Sequence, residues 1–121
     1  MYINNLKIIQ MFRGDTTTLV PFINKGTAMS PERYEITEND TIYFALMEPN
    51  QKFEDAILKK VFNSESPVTE DGDLIIKLNP SDTVDLLPGK YYYTIKMKHD
   101  TNENEYDVYT LLQETEFWIL D

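Results

Sequence analysis

Cysteine is absent from this 121-residue chain, which excludes disulfide frameworks, thiolate nucleophiles and cysteine-based zinc sites together. Histidine occurs once, at His99, so no two-histidine metal site can form and general-base chemistry would need a partner that the sequence does not display. Basic residues are scarce, eleven against twenty-one acidic ones, giving a formal charge of -10. Such a surface repels phosphate backbones and anionic membranes, so no nucleic-acid partner is expected. The apolar runs are only a few residues long, far short of the roughly twenty needed to span a bilayer, and no membrane insertion is expected. The N-terminus Met1–Lys7 lacks the basic region and apolar run of a signal peptide. The chain also carries no phosphate loop, no dinucleotide glycine pattern and no Gly-x-Ser-x-Gly elbow. No catalytic, cofactor-binding or metal-binding residue is therefore assigned, and the chain is not expected to be an enzyme.

What remains is a β-rich text. The hydrophobic fraction is 41% with 12% aromatics, enough for a real core in one domain covering residues 1–121. The most informative stretch is Leu86–Ile95, where Pro88-Gly89 reads as a type II turn feeding a run of tyrosines. Beyond it Tyr91, Tyr93, Ile95 and Met97 share one face, while Tyr92, Thr94, Lys96 and Lys98 share the other. That period of two is a half-buried strand.

The same reading along the chain gives strands at Leu6–Phe12 and Thr16–Ile23, separated by Arg13-Gly14-Asp15, with Pro21 marking an edge or a bulge. A loop from Asn24 to Asn39 follows, in which Ser30-Pro31-Glu32-Arg33 fits a single helical turn. Thr41–Met47 is apolar on both faces, as expected of a central strand covered on two sides. Ala56–Phe62 fits a strand or a short amphipathic helix, with strand preferred in its C-terminal part. The turn Glu70–Asp73 enters a strand at Leu74–Leu78, and Asn79–Leu87 reads as a helical-turn crossover. Tyr91–His99 then pairs with Tyr106–Gln113 across Asp100–Glu105, and Glu116–Leu120 closes the domain. The fold class is all-β: an immunoglobulin-like β-sandwich of about seven or eight mostly antiparallel strands with one short helical crossover. The expected core is Ile42, Phe44, Leu46, Ile76, Tyr91, Tyr93, Ile95 and Phe117.

Three short signals invite functional readings, each with a plainer one beside it. His99 reads as an exposed residue at a strand end. Asp100, Asn102 and Asn104 imitate the start of a calcium loop, but Glu105 stands where glycine is required and Leu111 where a bidentate glutamate is required. That segment is expected to be a solvated hairpin tip. Arg13-Gly14-Asp15 matches an adhesion tripeptide, yet Gly14 has an ordinary use between strands and Asp15 can bond nearby backbone. The aromatics Tyr2, Tyr34, Tyr92, Tyr109 and Trp118 could stack on sugars or serve as core and interface groups. Of these, Tyr92 and Trp118 are the outward candidates for an interface or ligand surface.

Three pieces, Phe12–Thr17, Asp40–Leu46, and Asp82-Thr83 through Pro88–Ile95, precede a closing Tyr109–Leu111 and Phe117–Ile119. Their order and spacing resemble the small immunoglobulin-like proteins of tailed bacteriophages, and in particular the N-terminal domain of the upper baseplate protein family, over about residues 6 to 120. The glycine usual between the last two elements is replaced by Gln113-Glu114-Thr115. The resemblance implies a virion tail or baseplate protein made in the host bacterial cytoplasm. It also implies contacts with other tail or baseplate proteins or with further copies, and no catalysis or cofactor. A host-surface glycan is the alternative partner. A fibronectin type III pattern fits Leu86, Pro88, Gly89 and Tyr92 but would place Lys96 in the core, so the register with Tyr91 and Tyr93 inward is preferred.

Overall fold

The computed structural model describes residues 1–121, and the chain is all-β, with ten strands rather than the seven or eight expected, one 3-10 turn and one helical turn. The added strands are a two-residue strand at the N-terminus, a fully exposed one at Ser30–Arg33 and one from the division of Thr16–Ile23; they outweigh the fusion of the last two. A five-stranded sheet is built from β2 (Ile9–Phe12), β6 (Asp40–Met47), β7 (Leu58–Phe62), β9 (Gly89–Asn102) and β10 (Glu105–Leu120), in the order β2-β10-β9-β6-β7. All its pairings are antiparallel except β2 with β10, which is parallel. A three-stranded sheet takes β1 (Tyr2–Ile3), β4 (Ile23–Thr27) and β5 (Ser30–Arg33), and a further pair joins β3 (Thr17–Leu19) to β8 (Ile76–Leu78). No helix is long and apolar enough to cross a membrane.

One core of seventeen residues draws on all three sheets. Ile42, Phe44, Leu46, Tyr91, Tyr93, Ile95, Met97 and Phe117 come from the large sheet, and Ile3, Leu19, Ile23, Ile76 and Leu78 from the smaller ones. All eight residues expected in the core are buried. Tyr93 sits at its centre, 5.8 Å from the rings of both Phe44 and Phe117. Its hydroxyl donates to the Lys7 carbonyl at 2.6 Å, so the polar tip of a buried ring is satisfied.

The expected helical turn at Asn79–Leu87 is present as α1 (Pro80–Thr83). Pro80 takes the first helical position, and the Asp82 carboxylate accepts from the Asn79 backbone N–H at 2.7 Å. Asp82 also meets Lys60 of β7 at 2.7 Å, which fastens the crossover to the large sheet.

Several boundaries differ from the sequence reading, each for a local reason. The run Thr16–Ile23 breaks at Val20-Pro21-Phe22 and supplies β3 to one sheet and β4 to another; Pro21 cannot donate to a ladder and marks the change of partner. Ser30–Arg33 is a strand, not a helical turn. It pairs antiparallel with β4, and Pro31 lies opposite Gly26 in that ladder. The strand expected from Leu6 starts at Ile9, and the strand after Gly72 starts at Ile76, not Leu74. Gly89 has φ of 148°, outside the value near +80° that a type II turn requires, and already begins β9. The two final arms are one strand. Gln113-Glu114-Thr115 is not a turn but part of a bulged stretch, with register shifts between Thr110 and Leu112 and between Leu112 and Thr115.

Candidate interaction surface

Alternation along β9 sends one row of side chains into the core and the other to the outer face of the large sheet. On β6 that outer row is Tyr43, Ala45 and Met47, and both Ala45 and Met47 are buried. The chain after β6 covers part of this face. The 3-10 turn Phe53–Asp55 brings Phe53 edge-on to Tyr43 at 6.2 Å, which accounts for the two apolar faces of β6. Thr94, expected to point to solvent, is only 3% exposed. Its hydroxyl donates to the Leu112 carbonyl at 2.6 Å, at the β10 bulge.

Tyr92 and Trp118 come together here, both half-buried on the outer face. Tyr92 lies opposite Glu116, and Trp118 opposite Lys90. The Lys90 ammonium stands 5.6 Å from the Tyr92 ring centroid and 5.9 Å from that of Trp118, within reach of the negative ring faces. In the parallel ladder Trp118 pairs with Gln10 and Leu120 with Phe12. Phe12 is 55% exposed and stands on β2, the edge strand beside this face. The other aromatics do not join the cluster. The Tyr2 hydroxyl donates to the Thr27 carbonyl, Tyr34 donates to Asp40, and Tyr109 packs against the core.

His99 is not a free strand-end residue. Asp40 lies directly opposite it in the β6–β9 ladder, and His99 Nδ1 is 2.5 Å from Asp40 Oδ1. The second oxygen accepts from the Tyr34 hydroxyl at 2.5 Å, the Thr37 backbone N–H at 2.8 Å and the Thr37 hydroxyl at 3.1 Å. An ionised carboxylate only accepts, so the shared proton belongs to Nδ1. Burial by itself would raise the Asp40 carboxyl, but the bonds from Tyr34, Thr37 and His99 outweigh it and hold it below the usual aspartate range. Burial first, then the bond to Asp40 and its charge, push the Tyr34 phenol up to about 12. The cluster ties the 34–37 segment to two central strands. No spacing signal could have found it, because its members are joined by strand register alone.

The calcium-like segment is largely strand. Asp100 and Asn102 belong to β9, Lys98 lies 3.8 Å from Asp100, and the Asn104 backbone N–H donates to the Asn102 side chain. No group of three or more His, Asp or Glu side chains is placed to hold a metal ion. In Arg13-Gly14-Asp15, Gly14 has φ of 81°, and its N–H donates to the hydroxyl of buried Thr83 at 2.9 Å. Arg13 pairs with Asp121 at 2.8 Å, and the Asp15 N–H closes the turn onto the Phe12 carbonyl. The tripeptide is a turn fastened at both ends.

Comparison with protein-family models, with curated proteins and with solved structures gave no match.

Proposed function

We propose that this chain is a non-enzymatic, immunoglobulin-like structural module of a tailed bacteriophage, placed in the tail or baseplate and acting through protein–protein contacts. The strand order supports the fold part of this reading. Neighbours β6, β9 and β10, flanked by β7, correspond to the C-F-G sheet with its added C′ strand in variable-type immunoglobulin domains. The phage part rests on the resemblance over residues 6 to 120.

The observation that carries the contact role is the cluster of Tyr92, Trp118 and Lys90 on the outer face, with exposed Phe12 on the neighbouring edge strand. Rigid aromatic anchors next to an unpaired edge are what protein interfaces favour. Binding of a cell-surface glycan is the second reading, since Tyr92 and Trp118 share a face. It is the weaker one, because Lys90 stands within about 6 Å of both rings and a stacking sugar would have to displace it.

Mass spectrometry of purified particles tests the assignment. The chain is expected in the tail fraction, and a Tyr92→Ser/Trp118→Ser double variant that still folds is expected to be depleted from it. Its absence from particles would refute the phage role, and glycan binding lost on replacing Trp118 would favour the second reading.

A further inference from the structure

The outer face of the large sheet differs in charge from the rest of the molecule. Lys59 and Lys96 hold their ammonium groups 4.3 and 4.7 Å from the Phe53 centroid, and Lys98 stands 4.6 Å from that of Tyr106. With Lys90 they form a row of lysines, each against an aromatic ring, and Lys52 joins them at a groove of about 390 Å³ that Lys96 also lines. The acids on this face are Glu54, Asp100, Glu103, Glu105, Glu114 and Glu116. Thus five of the eleven basic residues and six of the twenty-one acidic ones lie here, leaving six against fifteen elsewhere.

Two copies of a chain carrying -10 repel each other across almost any pair of surfaces. This face is the exception. It is close to neutral, its ammonium and carboxylate groups are interspersed, and its apolar content is ring surface that gains by leaving water. The five strands are 4, 8, 5, 14 and 16 residues long. At about 3.3 Å per residue and about 4.8 Å between strands the sheet spans roughly 700 Å², of which the part clear of the Phe53–Asp55 turn is on the order of 500 Å². Two such faces in contact would bury on the order of 1,000 Å² in total, the lower bound for a specific interface.

We infer that the outer face pairs with the same face of a second copy of this chain, about a two-fold axis. The inference rests on reading this face as a contact surface, but not on the phage assignment. Sedimentation velocity of the full chain is expected to show a concentration-dependent species of twice the 14.2 kDa chain mass. Lys96→Glu, in mid-face, is expected to weaken the pairing about tenfold or more by setting like charges against each other. Lys77→Glu, exposed on β8 away from this face, changes the net charge equally and is expected to leave the pairing within about twofold of the parent. Lys59→Glu replaces Lys96→Glu should the latter fail to fold.

Because the chain has no cysteine, single labels give a clean second readout. Spin labels at Thr110→Cys, opposite Lys96 on the outer face, are expected to lie closer together than labels at Thr18→Cys on β3. A monomer at every concentration, equal weakening by Lys77→Glu, or closer Thr18 labels would each overturn the inference. A monomer that still enters particles overturns the pairing alone; a dimer missing from particles overturns the tail assignment alone.

Discussion

Truncating Asp40 to alanine should be among the most damaging polar substitutions in this protein. Its side chain is wholly inaccessible, and its two oxygens satisfy Tyr34, the Thr37 backbone and hydroxyl, and His99. Asp40→Ala leaves those donors without an acceptor. Hydrogen bonds to a charged group contribute about 1.5–3 kcal/mol each, but the donors share one carboxylate and His99 retains some access to water. The expected loss is therefore about 3–5 kcal/mol, the contribution of roughly two such bonds. Asp40→Asn keeps the shape and one acceptor oxygen, and should lose about 1–2 kcal/mol. The pH dependence separates charge from shape. Because the folded-state carboxyl titrates below its unfolded value, its contribution is present above about pH 4 and is lost as pH falls through the folded pKa. The gap between the parent and Asp40→Asn should accordingly narrow in acid. Urea unfolding followed by far-UV circular dichroism at a series of pH values measures both effects. A loss below about 1 kcal/mol for Asp40→Ala at neutral pH, or a gap to Asp40→Asn that ignores pH, would refute the reasoning.

Phe44→Ala removes a fully buried ring 5.8 Å from Tyr93, and urea midpoints should report a loss of about 3–5 kcal/mol. Gly26→Ala puts a Cβ at φ of +86° and 2.8 Å from the Ser30 carbonyl oxygen. It should cost about 1–3 kcal/mol, with faster amide exchange in β4–β5 than in the central strands. In an alkaline titration read by tyrosinate absorbance, Tyr34 and Tyr93 should ionise late, at about 12, and Tyr34→Phe or Tyr93→Phe should each remove one late phenol. Since both folded values lie above the ordinary 10.0, their stabilisation is intact below about pH 10 and is lost as pH rises toward 12.

The elements legible in the sequence were those whose alternation is enforced by burial. β6 and the first part of β9 hold a strict inward row, so Ile42, Phe44, Leu46, Tyr91, Tyr93 and Ile95 could be placed from spacing alone. β5 could not. All four of its residues are exposed, so it has no hydrophobic period and is held by backbone pairing to β4, while Ser-Pro-Glu-Arg imitates a helix start. β1 is two residues long, too short for any period to register. The Asp40–His99 contact spans 59 positions and follows only from the β6–β9 register, which local reading does not supply.

The candidate surface was half legible, and the missing half lies in the β10 bulges. Outward placement of Tyr92 follows from the β9 alternation, but its proximity to Trp118 depends on the register of β10. Extending the pairing Thr110↔Lys96 without interruption would set Trp118 opposite Pro88, beyond the end of β9. A single extra residue would invert every later side chain, turning Trp118 toward the core and Phe117 out of it. Two shifts occur, at Leu112 and before Thr115, and together they restore the alternation. Phe117 stays packed on Tyr93, while Trp118 lands opposite Lys90, one outward position from Tyr92. The absence of a glycine at Gln113-Glu114-Thr115 then has a physical sense. The strand bulges through this segment without turning, and the residues that look like a broken hairpin are the ones that assemble the aromatic face.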